Sequence, residues 1–207
     1  MCFFIIFLSA GLVGGLVLAP ADAIQGDGFR IIYVHAPAAF LSLFIYAVMA
    51  GAAIATLVWR IKLAPWVMKE SASLGATFTA LALITGSLWG KPMWGTWWLW
   101  DARLTSELIL FFLYLSYLLL QSALADRPHH ERALAILVLV GSVDLPIIHY
   151  SVEWWNTLHQ GATLKLFSQS SIAPSMKQPL LCMMLAFLLY YCLVLFKRLA
   201  HQWEVNA

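Results

Sequence analysis

Apolar runs with few or no charged residues recur along this chain, and short polar stretches separate them. A helix needs about 20 apolar residues to cross the hydrocarbon core of a bilayer. By that measure the pattern predicts six spans, at residues 3–19, 36–59, 71–89, 104–125, 133–150 and 180–196. The runs are continuous rather than alternating with period two, so each is predicted as α-helix, which satisfies its backbone hydrogen bonds within the segment. The expected fold is an all-α integral membrane protein: a six-transmembrane-helix bundle in one domain over residues 1–207. External segments are expected near 20–35, 89–103 and 151–179. A competing reading of the first run comes from "LAPADAIQ" (18–25), where Ala21 and Ala23 fit the small-x-small pattern of a signal-peptidase site. Cleavage there would leave five spans. No basic residue precedes the run, and about 17 apolar residues is long for a signal core, so it is expected to remain as a span.

Composition removes the alternative of a soluble domain. Of 207 residues, 62% are hydrophobic and only 11% charged, too few charges for a fully hydrated surface. Arginine and lysine then suggest an orientation. Arg60, Lys62, Lys69, Arg127, Arg132, Lys197 and Arg198 fall in compact loops on one side, while Arg30, Lys91, Arg103, Lys165 and Lys177 are spread through longer segments on the other. The bias predicts both termini in the cytoplasm. Whichever way the chain inserts, six spans place the connections after spans one, three and five on the same face.

That shared face holds most of the unusual residues. "WGKPMWGTWWLWDARLTSE" (89–107) carries Trp89, Trp94, Trp97, Trp98 and Trp100, and Trp154 and Trp155 lie in the last external segment; only Trp59, Trp66 and Trp203 fall on the other side. An aromatic belt would populate both interfaces. If the segment is helical, Trp94, Trp97, Trp98 and Asp101 stand at i, i+3, i+4 and i+7, one face of a helix and an aromatic shelf ending in a carboxylate. Such a shelf suits a large planar apolar ligand such as a porphyrin. Both the anchoring belt and the ligand platform remain open on these residues alone.

Histidines add a second signal. His129 and His130 belong to a charged loop and His201 to the tail, whereas His35, His149 and His159 lie toward the tryptophan face. Imidazole is a common axial ligand of haem iron. A single histidine at a helix end is more often a hydrogen-bonded structural residue; several beside an aromatic shelf form a constellation.

"YVHAPAA" (33–39), "WGTWWLWD" (94–101) and "IIHYSVEWWNTLHQG" (147–161) resemble the signature stretches of the CcmC family, the haem-handling subunit of bacterial cytochrome c maturation. The resemblance runs through nearly all six spans, and the chain is too short for the larger haem-handling proteins that share the tryptophan motif. It implies a protein of the bacterial inner membrane that presents non-covalent haem b on the periplasmic side and helps load it onto a periplasmic haem chaperone. The family's two external histidines fall on His35 and His159, the expected metal ligands. Its tryptophan signature falls on Trp94, Trp97, Trp98, Trp100 and Asp101, the expected cofactor-binding residues. Implied partners are membrane lipid, an ABC-type ATPase subunit with its membrane partner, a small single-span subunit and the chaperone, with no nucleic acid. The chain begins almost directly in span one, without the short polar lead expected of the family.

Other residues bound that reading. No G-x-x-x-x-G-K-[ST] stretch is present, so ATP hydrolysis is expected on a partner. Cys2, Cys182 and Cys192 form neither C-x-x-C nor C-x-x-C-H, so haem is expected to be held by ligation and packing. Lys91, Arg103 and Lys165 are candidate partners for haem propionates. Arg103 and Glu107 stand at i and i+4 and are placed to pair. Asp144 and Pro146 are costly or disruptive in a span, and read either as a bundle contact beside a kink or as a proton or positioning site. Two other function classes stay open: a b-type electron-transfer cytochrome, with His35 and His149 opposed within the bundle, and an interaction subunit without cofactor.

Overall fold

The computed structural model of the chain describes residues 2–155, 157, 159 and 172–206. Helix α1 (Cys2–Val13) continues through one wide turn, Gly14–Leu18. A short connection with a 3-10 turn, Asp27–Ile31, leads into α2 (Ile32–Ile54), which is followed by α3 (Ala64–Trp94) and α4 (Ala102–Ala123). The fifth span is in two pieces, α5 (His130–Gly141) and α6 (Asp144–Trp154), and α7 (Pro174–Asn206) closes the bundle. Among the described residues there is no strand, only an isolated bridge between Asp22 and Gly26. Five helical stretches are long and apolar enough to cross a membrane, and the first, Cys2–Leu18, is apolar but shorter. The chain is a multi-pass α-helical membrane protein.

Several elements are longer or more broken than their apolar runs suggested. α3 begins seven residues before the expected 71, with a proline in its first turn, where a missing N–H costs nothing. It ends at Gly95, whose φ of 77° is the left-handed conformation that glycine adopts without a Cβ penalty. The tryptophan segment therefore does not continue as a helix. Residues 95–101 are irregular, so the expected shelf at helical spacing does not form. The break between α5 and α6 falls at Ser142 and Val143, just before Asp144 and Pro146, and gives the kink that proline predicted.

α2 lies at the centre, packed on α3, α5 and α7, with Leu41, Ile45 and Met49 wholly buried. α4 crosses α3 at Gly75, where an added Cβ would lie 2.1 Å from Tyr114 Cε1. The tyrosine ring thus occupies the place of a side chain. Its hydroxyl donates to Ser42 O at 2.7 Å, and the Ser42 hydroxyl donates to Glu107 Oε1 at 2.7 Å. This stitch between α2 and α4 satisfies polar groups that lipid would not. Arg103 and Glu107 influence each other electrostatically, but no ion pair joins them among the described residues. Asp144 is buried, and its Oδ2 has no hydrogen-bond partner among the described residues.

A second apolar cluster, with Phe29, Ile32, Tyr33, Leu180 and Met183 at its centre, ties α1, α2 and α7 together at the tryptophan end. It fixes the start of α2, and with it His35.

The Gly75 crossing yields a direct test. Gly75→Ala forces the buried Tyr114 ring to move and is expected to destabilise the protein by about 1–3 kcal/mol, as overpacking does. Gly51→Ala, where nothing lies within 4 Å, should leave stability unchanged or raise it. Thermal unfolding of the two variants in the same detergent checks the contrast.

Candidate functional site

Three segments converge at one end of the bundle. The connection after α1 reaches α3 through Gln25, whose Oε1 accepts from Trp89 Nε1 at 2.9 Å, and through Phe29, edge-on to Trp89 at 5.9 Å. The segment after α6 reaches the tryptophan segment through His159, whose ring stands 4.7 Å from that of Trp94 at 64°. Described residues from the connections after α1, α3 and α6 thus meet on this face.

Asp101 is the N-cap of α4 and uses its two oxygens differently. Oδ1 accepts the Leu104 N–H at 2.8 Å, the usual bond of an aspartate cap. Oδ2 accepts from His159 Nδ1 at 2.7 Å and from the Thr157 hydroxyl. Thr157 Oγ1 in turn accepts the His159 backbone N–H at 3.1 Å. Burial would raise the Asp101 carboxyl, but the bonds from Thr157, the Leu104 N–H and His159 outweigh it and hold the group below the ordinary range. Burial also lowers His159, and Asp101 only partly offsets that. Because a carboxylate only accepts, the proton of this bond sits on His159 Nδ1.

His35 lies in the first turn of α2. Its Nδ1 is 3.1 Å from Ala82 O and 3.1 Å from Thr85 Oγ1. The Thr85 hydroxyl is already committed to Leu81 O at 2.7 Å, so both neighbours act as acceptors and Nδ1 carries the proton. The other face of the ring meets Trp89 edge-on at 5.6 Å. His35 and His159 thus have the same tautomer, fixed by different acceptors, and among the described residues nothing bonds to either Nε2. His35 is within electrostatic reach of both His159 and Arg103.

The tryptophans divide by role. Trp94 is packed against His159, and the place where a Gly90 Cβ would sit is 2.9 Å from its ring. Trp98 and Trp100 meet at 5.5 Å and 73°, with the Trp98 Nε1 buried and without a partner among the described residues. Trp97 and Trp100 are 55% and 79% exposed, large apolar surfaces that remain mostly open. Lys91 donates to Gly95 O at 3.0 Å and lies 5.8 Å from the Trp97 ring centre, which occupies it locally. Arg103 makes no ion pair among the described residues and sits within electrostatic reach of Asp101 and His159. Lys165 lies outside the described residues. His149 is exposed in the middle of α6, edge-on to Tyr150, and has no bond to this cluster among the described residues.

Sequence reading did not find Thr157, Thr85 or the Ala82 carbonyl, the groups that orient the two histidines. Thr157 stands two residues before His159, the spacing of a hydroxyl that bonds a nearby backbone N–H, and that was the available signal.

The family model for Heme exporter protein C, CcmC, matches residues 1–205. A relative of that name from Haemophilus influenzae is 55% identical over 187 residues, covering 90% of this chain and 76% of the relative. One from Escherichia coli K12 is 56% identical over 185 residues, covering 89% and 74%. A ccmC-like mitochondrial protein of Arabidopsis thaliana, named for cytochrome c biosynthesis, is 42% identical over 192 residues, covering 91% and 69%. With a match along essentially its full length, and relatives more than half identical over nearly all of it, the chain belongs to the Heme exporter protein C family.

Proposed function

We propose that this protein binds haem b non-covalently at its tryptophan face, with His35 and His159 as iron ligands, and passes it to a periplasmic haem chaperone for c-type cytochrome biogenesis. The observation that carries the reading is the matched pair of imidazoles. Each gives its Nδ1 proton to a fixed acceptor, which leaves Nε2 as the basic nitrogen, the arrangement that metal-binding histidines use. The relatives' names, which speak of haem export and cytochrome c biosynthesis, point to the same cargo.

The remaining residues fit a flat amphiphilic ring. Trp97 and Trp100 offer open aromatic faces, Trp98 has an indole N–H to donate, and Arg103 supplies a positive charge for a propionate. Haem contributes the iron and the anionic edge; the chain contributes two nitrogens, the rings and a guanidinium. Cys182 and Cys192 lie in α7, and neither stands in a C-x-x-C-H run, so ligation and packing hold the ring and leave it releasable. A carrier needs that property. The face bearing the site is assigned to the periplasm of a bacterial inner membrane, with both termini cytoplasmic, and residues 1–207 act as one domain. An ABC-type ATPase subunit, its membrane partner and a small single-span subunit complete the assembly. An electron-transfer role would instead call on His149, whose exposed position on α6 gives it no part in this cluster.

Two measurements test the reading. His35→Gly and His159→Gly should each change the oxidised and reduced absorption spectra of protein purified from haem-replete cells, and added imidazole should restore part of the change. Identical spectra in wild type and both variants would remove the ligand assignment. Replacing both Trp97 and Trp100 by Ala should speed haem loss by roughly two- to tenfold per ring, the equivalent of about 0.5–1.5 kcal/mol for each lost aromatic contact, with membrane insertion unchanged. Insertion lost in step with haem would return these residues to an anchoring role.

A further inference from the structure

We infer that Asp101 and Thr157 act together as a clasp that positions His159, fixing its tautomer and ring orientation before haem arrives. The inference rests on His159 being a haem ligand and adds how that ligand is made ready.

His159 sits on a segment outside any helix, where an imidazole would ordinarily rotate and exchange tautomers. Here four contacts restrain it. Asp101 Oδ2 takes the Nδ1 proton at 2.7 Å, and a carboxylate that only accepts cannot serve the other tautomer. Thr157 donates to the same Oδ2, so the acceptor is itself held. Thr157 Oγ1 also takes the His159 backbone N–H at 3.1 Å and stands 3.1 Å from Nδ1, which ties main chain and ring to one hydroxyl. The Trp94 ring closes another side at 4.7 Å, and is itself seated against Gly90.

The acceptor is anchored by a bond that has nothing to do with haem. Asp101 Oδ1 is committed to the Leu104 N–H at 2.8 Å, so the carboxylate takes its position from the first turn of α4. The clasp thereby references His159 to a transmembrane helix 58 residues away in sequence. Thr157 is the joint between that helix and the loop. An acidic partner on Nδ1 also strengthens Nε2 as a donor to a metal.

Three variants separate these functions. Thr157→Val removes the hydroxyl at nearly constant shape, and Thr157→Ser keeps it. Asp101→Asn preserves the helix cap, for which Asn and Asp are equivalent, but its amide can present an N–H to Nδ1 and release the tautomer. The full chain in lipid nanodiscs, loaded with haem, is expected to lose haem to excess apomyoglobin roughly tenfold faster in Thr157→Val and Asp101→Asn, the lower end of the effect seen when an outer partner of a metal ligand is removed. Thr157→Ser should behave as wild type. Read in a His35→Gly background, so that His159 is the one histidine ligand, the iron–histidine stretch of the ferrous form should shift on adding Asp101→Asn, a signature that loosened packing alone does not give. Without haem, nitrogen-15 spectra of labelled histidine, assigned by difference from His159→Gln, should show His159 protonated at Nδ1 in wild type and a mixture in Thr157→Val.

Wild-type rates of haem loss in both Thr157→Val and Asp101→Asn, with rapid loss in His159→Gly, would overturn the clasp while sparing the ligand. Unchanged haem binding in His159→Gly would overturn the ligand reading and the role built on it. A wild-type His159 protonated at Nε2 in the haem-free protein would overturn the clasp by itself.

Discussion

The carboxylate of Asp101 is shared between a helix and a histidine, and the geometry of the tryptophan face follows from that division. One oxygen caps α4 through the Leu104 N–H and the other holds His159. A cap is needed because the first N–H groups of a helix have no partner inside it. By capping with an aspartate two residues before Arg103, the chain places a fixed negative charge where the bundle emerges, beside a guanidinium with no ion pair among the described residues. The irregular stretch 95–101 is then held at both ends, by the left-handed Gly95 and by this cap. Its tryptophans are displayed by backbone geometry rather than by a helix face.

Inside the bundle the problem is reversed. Polar groups there have no water, and several are joined by short bonds between helices, Ser42 to Glu107, Tyr114 to the Ser42 carbonyl, and the Ser71 and Tyr191 hydroxyls at 3.0 Å, while Asp144 Oδ2 and the Tyr46 hydroxyl have no partner among the described residues. Small residues let the helices approach. Gly75 accepts the Tyr114 ring, and an added Cβ at Gly141 would lie 2.2 Å from the Tyr46 hydroxyl. Hydrophobic matching to lipid gives little drive for helix association, so such packing and hydrogen bonding carry it.

The order of the apolar helices was legible because an apolar run of membrane length has few alternatives in lipid; five of the six expected runs are long and apolar enough to cross, and the first, Cys2–Leu18, is shorter. The common face of His35, Trp94 and His159 followed from parity alone. What the sequence could not show was conformation beyond the runs. Glycine at position 95 ends α3 and abolishes the regular shelf that Trp94, Trp97, Trp98 and Asp101 would form on a helix. The pairing of Asp101 with His159 joins residues 58 apart, and no local pattern encodes it. Arg103 and Glu107 had the spacing of a pair, yet Glu107 takes its hydrogen bond from Ser42 on another helix. Residues with ordinary side chains, such as Thr85 and Thr157, gain their roles only from what lies opposite.

The break at Ser142 and Val143 divides the fifth span into two rods, of which the second, α6, packs on α4 through its buried face at Ile148 and Ser151. With 11 residues, α6 is a lever of about 16 Å. A change of about 5° in its direction corresponds to roughly 1.4 Å at its far end. That travel is comparable to the margin between a sound hydrogen bond and a lost one. Because α6 packs on α4, it rests on the same helix whose first-turn cap, Asp101, holds His159.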